Sequence, residues 1–336
     1  MTSTMASTNT DHLGEISALE LTGEERIELE ALVKRLRGSD PALVDDPDWQ
    51  RQAREESCRL PHRLSGAVRA FRHDAGLDGT LTISNLPLGA EPLPPTPTVP
   101  ESVERAVTGP AAVAVLLGCE LGALIAFRGE KQGALVQNVV PVPALAASQS
   151  NGGSVRLEFH TENAFHPHRP DFVGLLCLRS AHEDQVGTQV ASVRRAFPLL
   201  DEADRTVLQE PRFVTDPPPS FHAAGLQPAE PPRAQPVLSG APEDPDICVD
   251  FHATRALDEH AARSLTRLRE ALVAVRTDAV LRPGDMIFVD NRIVVHGRVA
   301  FTPRYDGNDR WLHRVFVHLD HRRSRRNRPG NGAVLA

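Results

Sequence analysis

The sequence predicts an α+β fold in which helices come first and short strands later build a β-sandwich core. Three observations predict it. Apolar stripes at helical spacing fill the early part of the chain, beginning with Leu29, Leu32, Val33 and Leu36. From Leu135 onward the apolar stretches become short, rich in Val, Leu and Phe, and separated by Gly, Pro and Asn clusters. No internal repeat is visible, and helices followed by strands suit one α+β domain.

In chain order, Met1 to about Ala18 is Ser/Thr-rich and reads as disordered. Thr22 with Glu25 three residues on forms a capping box that starts the first helix. A second helix is expected over Trp49–Phe71, a short strand at Leu81–Ser84, and a proline-rich surface linker over Leu93–Pro100. Ala111–Ala126 reads as a buried helix. Strands are expected at Leu135–Val142, Val155–Phe159, Phe172–Leu178, Gln189–Arg194, Met286–Val289 and Arg310–Leu319, with helices over Asp201–Leu208 and Glu259–Val275. Nine prolines fall between Pro217 and Pro245, a stretch too long for a plain connection and suited to a lid.

The 336 residues allow a sizeable core. A net charge of -7 excludes general affinity for nucleic acid or anionic membrane. The basic run Arg322, Arg323, Arg325, Arg326 and Arg328 reads as a solvated tail. The four cysteines, Cys58, Cys119, Cys177 and Cys248, lie too far apart in sequence for a CxxC zinc site and offer no disulfide framework. With no signal-like N-terminus and no membrane-length apolar run, a reducing cytoplasm is the expected setting. Oligomeric state is not legible.

The chemistry gathers at His160-Thr161-Glu162. In a strand, residues two apart share a face, so His160 and Glu162 can reach one metal. His296 closes a later apolar stretch. Two imidazoles and one carboxylate are the ligand set of a non-haem Fe(II) site with open positions, although surface residues at a strand end and a buried core histidine would account for the same letters. Arg310, Leu312, Arg314 and Phe316 alternate onto one strand face, opposite Trp311, His313, Val315 and Val317. Two arginines on one face suit a carboxylate clamp.

Longer blocks carry a family likeness. They are Glu130-Lys-Gln-Gly-Ala-Leu-Val-Gln-Asn-Val-Val-Pro-Val-Pro, His160-Thr-Glu-Asn-Ala-Phe-His-Pro-His-Arg-Pro-Asp-Phe-Val, Leu175-Leu-Cys-Leu-Arg, Val289-Asp-Asn-Arg, His296-Gly-Arg, and Phe301-Thr-Pro-Arg-Tyr-Asp-Gly-Asn-Asp-Arg-Trp-Leu. From about Leu21 to Leu335 the chain resembles the clavaminate synthase-like Fe(II)/2-oxoglutarate oxygenases, and most of all their amino acid hydroxylases. The resemblance implies a double-stranded β-helix (jelly roll) with flanking helices. It implies a disordered segment 1–20 and one oxygenase domain over 21–336, with a helical part at 21–130, a jelly-roll core at 131–320 and a lid at 217–248.

It further implies Fe(II) on His160, Glu162 and His296, with 2-oxoglutarate and O2 as cosubstrates. Arg314 would bind the far carboxylate of 2-oxoglutarate, with Arg310 nearby and Thr188 as the candidate hydroxyl. Substrate contacts map onto Glu130, Gln137, Asn151 and Asp250, with Ser150 beside Asn151. The implied reaction is C3 hydroxylation of a free L-amino acid, L-asparagine first and L-arginine second, of the kind that supplies antibiotic peptides. A carboxylate at Asp250 accepts bonds from an amide or a guanidinium and repels a side-chain carboxylate. Phe251 and His252, which follow it directly, depart from the nearest pattern. Desaturation, a carrier-bound substrate, and a non-catalytic jelly-roll binding protein are the other readings.

Overall fold

The structure, a computed structural model, describes residues 17–336 apart from 41, 183–185, 219–220 and 222–231. Thr22 caps the first helix, Gly23–Arg37, through the reciprocal bonds expected of a capping box, and Leu29, Leu32, Val33 and Leu36 are its buried residues. The second expected helix divides in two, Pro47–Ser57 and His62–His73. Pro61 is the cause: it has no N–H to donate and disfavours helical geometry in Leu60 before it. The apolar stretch after it also changes state. Gly109–Leu121 is a buried helix, but Ala123–Phe127 is a strand paired with Trp311–His318. Gly122 separates them, and a Cβ there would lie 2.5 Å from the His318 carbonyl oxygen, so the helix ends where the sheet edge begins.

Two sheets form the core. The larger orders its main strands Ala18–Glu20, Thr80–Ser84, Met286–Asp290, Phe172–Arg179, Trp311–His318, Ala123–Phe127 and Val334–Leu335, with Val136–Val139 and Val103–Glu104 attached beside Trp311–His318. The smaller orders Thr277–Ala279, Thr188–Ser192, Val294–Arg298 and Leu157–His160. Alternation decides what each face meets. Leu176, Phe288, Trp311, Val315 and Val317 pack with the N-terminal helices, whereas Val173, Leu175, Ile287, Leu312 and Phe316 pack with Val190, Val294, Val295 and Phe159 of the smaller sheet. The fold is therefore a jelly roll with helices on the outer face of its larger sheet. Arg310 and Arg314 share parity with Leu312 and Phe316, so the fold sends them inward, between the sheets, and both are buried. A solvated surface strand is ruled out.

Other elements depart from expectation. Ala18–Glu20 is a strand, parallel to Thr80–Ser84, where disorder was expected to reach residue 20. Part of the proline-rich stretch lies outside the described residues, but Leu238–Ala241 and Asp244–Ile247 form an antiparallel hairpin. A two-stranded ribbon has open edges, so Pro245 removes no central ladder bond. The basic run is no free tail either. Arg323 bonds Asp171 at 2.8 Å, and Arg328 is buried, donating to the carbonyls of His321 and Gly332.

His313 faces the helical layer. It is fully buried, and neither ring nitrogen has a partner among the described residues. Burial pushes its pKa down to about 3; burial, aided by neighbouring positive charge, brings His166 and His318 to about 4. A histidine depressed in the folded state is protonated more readily unfolded, so stability is full above about pH 6.5 and falls below it, toward the folded pKa. His313 alone costs about 2 kcal/mol between pH 7 and pH 5. In thermal unfolding of the metal-free chain, His313→Phe is expected to shrink the pH 7 to pH 5 loss by about that much. An identical loss in both proteins would refute the assignment.

Candidate active site

The smaller sheet brings the two histidines together. His296 is the direct antiparallel partner of His160, and their ring centroids are 4.4 Å apart. Next to His296 a bulge interrupts the ladder at Gly297, where a Cβ would meet the Leu157 carbonyl oxygen at 2.6 Å; only glycine permits this approach. The Leu157–His160 strand ends at His160, and Glu162 is fixed by another device. Its backbone N–H donates to Asn291 Oδ1 at 2.7 Å, while Asn291 Nδ2 donates to the Glu162 and Pro170 carbonyls. Asn291 is wholly buried. Sequence reading assigned it no role; the one available signal was its place in the Val289-Asp-Asn-Arg block.

One donor atom each from His160, Glu162 and His296 lies within 4.8 Å of the other two. His160 Nδ1 lies 2.9 Å from the Glu158 carbonyl, which can only accept, so Nδ1 carries a proton and Nε2 is the ring atom available to a metal. His296 Nε2 stands 3.4 Å from Glu162 Oε2. Burial lowers the His296 pKa, aided by the neighbouring His160, so the ring is neutral. Burial alone would raise the Glu162 carboxyl, but Arg314 and the two histidines hold it well below the usual range. Two imidazoles, which bind a divalent cation in their neutral form, and one carboxylate make a donor set that fits Fe(II).

Arg314 is the most heavily bonded side chain of the site. Its Nη1 lies 3.1 Å from both Glu162 oxygens, its Nε donates to Gln137 Oε1 at 3.0 Å, and its Nη2 is paired with Glu130. Gln137 is Arg314's register partner on the adjoining strand. Glu130 is presented by a tight turn in which Lys131, Gln132 and Gly133 all have positive φ. Asn163 also donates to it, at 3.2 Å. Burial raises the Glu130 pKa and the Glu162 charge adds to that, while Arg314 opposes both.

Arg310 is different. It is buried, it meets no acid among the described residues, and it donates to Thr188 Oγ1 at 3.2 Å. Burial pulls its pKa down to about 10. The two arginines that sequence reading joined into one clamp thus have opposite surroundings, one saturated by acids and the other without a counter-ion among the described residues.

Asp250 reaches the site through residues 249–251, which run antiparallel to 159–161. Thr161 exchanges bonds with Val249, Phe251 N–H donates to the Phe159 carbonyl, and Asp250 bridges to His160. Asp250 Oδ1 accepts the amides of His252 and Ala253, leaving Oδ2 outside that turn. Phe251 packs on the inner core, whereas His252 is exposed. Asn151 is half-buried in the loop before the Leu157–His160 strand, next to Ser150, whose buried Oγ has no partner among the described residues.

Comparison with known proteins agrees with this geometry. The family described as "Taurine catabolism dioxygenase TauD, TfdA family" matches residues 121–316. L-asparagine oxygenase of Streptomyces coelicolor is 48% identical over 307 residues, 91% of each chain. L-lysine 3-hydroxylase of Catenulispora acidiphila is 36% identical over 328 residues, 96% of this chain and 90% of that protein. A solved asparagine oxygenase in complex with Fe(II), 2S,3S-3-hydroxyasparagine and succinate superposes with a TM-score of 0.90 at 44% identity, covering 95% of this chain and 99% of that one. With its fold, donor set and relatives in agreement, the chain belongs to the TauD/TfdA dioxygenase family, the non-haem iron oxygenases that use 2-oxoglutarate.

Proposed function

We propose that this enzyme hydroxylates C3 of a free L-amino acid, L-asparagine first, releasing succinate and CO2. The observation that carries the substrate class is the Glu130–Arg314 pair, Arg314 buried and Glu130 half-buried, one hydrogen bond from Glu162. An acid and a base side by side in a sheltered site match the ammonium and carboxylate of a zwitterion. Arg314 takes the substrate's α-carboxylate, held to that orientation by Gln137, and Glu130 takes the α-ammonium. His160, Glu162 and His296 hold the metal, with Asn291 fixing Glu162. We assign the far carboxylate of 2-oxoglutarate to Arg310 and Thr188, not to Arg314, because Arg310 is the cation without an acid partner among the described residues. Fe(II) with 2-oxoglutarate and O2 supplies the oxidising power for C–H hydroxylation. The side chains supply position, since reacting groups must be held within a fraction of an ångström. The lid expected over residues 217–248 lies in part outside the described residues. A cytoplasmic setting suits the four free cysteines.

Asp250, with Asn151, reads the substrate side chain. A carboxylate accepts from the side-chain amide of asparagine and would equally accept a guanidinium, so L-arginine is the second reading. Succinate formation across the free L-amino acids tests both. Asp250→Asn is expected to cut turnover of the preferred substrate by about tenfold to a hundredfold and to raise the relative rate with L-aspartate, since an amide donor replaces a repelling charge. Unchanged preference would remove Asp250 from the site. No succinate with any amino acid would refute the proposed function.

A further inference from the structure

Arg298 lies two residues past His296 and has no part in the assignments above. It is 4% exposed, and its Nη2 donates to the Gly153 carbonyl at 2.7 Å and the Val155 carbonyl at 3.1 Å. Its guanidinium carbon sits 4.9 Å from the centre of the Phe301 ring, and the Phe301 N–H donates to the Ser154 carbonyl. Three successive residues of the 146–156 loop are therefore tied to Arg298 or to the ring it stacks on. This loop carries Asn151 and the unpartnered hydroxyl of Ser150.

The other end of Arg298 faces the cosubstrate region. Its register partner is Thr188, the residue that accepts from Arg310. Its Nε is buried without a partner, and no acid pairs with Arg298 or Arg310 among the described residues. Burial, with the Arg310 charge adding to it, brings the Arg298 pKa down to about 9. Two desolvated cations flanking one threonine repel each other until an anion enters between them.

We propose that Arg298 is a positioning residue that ties the amino-acid loop, residues 146–156, to the cosubstrate end of the pocket. Arg298 already holds the Gly153 and Val155 carbonyls; an anion at Arg310 relieves the repulsion, strengthens that hold, and so steadies the loop that contacts the amino acid. This rests on the assignment of 2-oxoglutarate to Arg310 and Thr188.

The test is hydrogen–deuterium exchange of the 146–156 peptide in the Fe(II) enzyme under anaerobic conditions, with and without 2-oxoglutarate. In the native enzyme 2-oxoglutarate is expected to slow exchange of this loop about fivefold or more. In Arg298→Met the response disappears although 2-oxoglutarate still binds by equilibrium dialysis; the amino acid KM rises about tenfold, while the 2-oxoglutarate KM moves less than about threefold. Arg298→Lys, which keeps charge and a donor, recovers part of the response. If Arg298→Met does not fold, Arg298→Gln carries the same comparison. A loop that responds in the variant as in the native enzyme overturns the proposal. So does a variant that loses 2-oxoglutarate binding as fully as Arg310→Met, because Arg298 would then be a cosubstrate ligand. If the native enzyme itself binds no 2-oxoglutarate, the cosubstrate assignment falls and takes this proposal with it.

Discussion

Glu162→Gln is expected to lower succinate formation by about a thousandfold or more and to leave the protein without stoichiometric iron. A carboxylate supplies both the ligand atom and the negative charge that a divalent ion needs, and an amide oxygen supplies a far weaker donor. Losing metal-assisted chemistry removes several kcal/mol of transition-state stabilisation, and each tenfold in rate is about 1.4 kcal/mol. The fold is expected to survive. Arg314 keeps Glu130 and Gln137 as partners, and Asn291 binds the backbone of residue 162, which the substitution does not alter. The metal-free variant should thus lie within about 1–3 kcal/mol of the native apoprotein. Iron content, succinate yield and thermal unfolding check the three statements. A Glu162→Gln enzyme that keeps its iron and turns over within tenfold of native would mean that the donor set is not the metal centre.

Much of this site was legible in the sequence because it depends on local periodicity. The period of two placed Arg310 and Arg314 on one face, which the sheet turns inward, and the His160-x-Glu162 spacing gave the ligand pair, although the strand ends at His160 and Asn291 rather than the strand fixes Glu162. What was not legible depends on which partner each side chain meets. Arg310 and Arg314 look alike along the strand; only the fold brings Glu130, Gln137 and Glu162 to one of them and Thr188 to the other. Asn291 and Arg298 escaped for the same reason, since their bonds run to carbonyls more than a hundred residues away. The missed elements fail differently. Pro61 and Gly122 were visible letters, but the apolar pattern continues across each of them, so periodicity outweighed the breaker. Short edge strands such as Thr277–Ala279 bury too little to leave a pattern.

The exchanged roles of the two arginines lead to the second large effect, and comparing two variants decides it. Arg310→Met is expected to raise the 2-oxoglutarate KM by about a hundredfold to a thousandfold, the loss of a charge-assisted bond in a desolvated site, while iron is retained. Its effect on the empty protein should be small or even stabilising, because an arginine that is buried without an acid partner costs desolvation energy and a methionine of similar length does not. Arg314→Met should do the reverse. It leaves the half-buried Glu130 and the buried Glu162 facing each other without the cation they share. That costs about 3–5 kcal/mol in stability. In whatever fraction folds, it strikes the amino acid KM far more than the 2-oxoglutarate KM. Metal retention in that variant should fall at low pH, because a carboxylate without its arginine protonates more easily. Paired KM measurements for cosubstrate and amino acid, with thermal unfolding of each metal-free protein, separate the two residues. If Arg314→Met raises the 2-oxoglutarate KM and Arg310→Met does not, the clamp is Arg314 after all, and the acids around it in the empty site must part when 2-oxoglutarate binds.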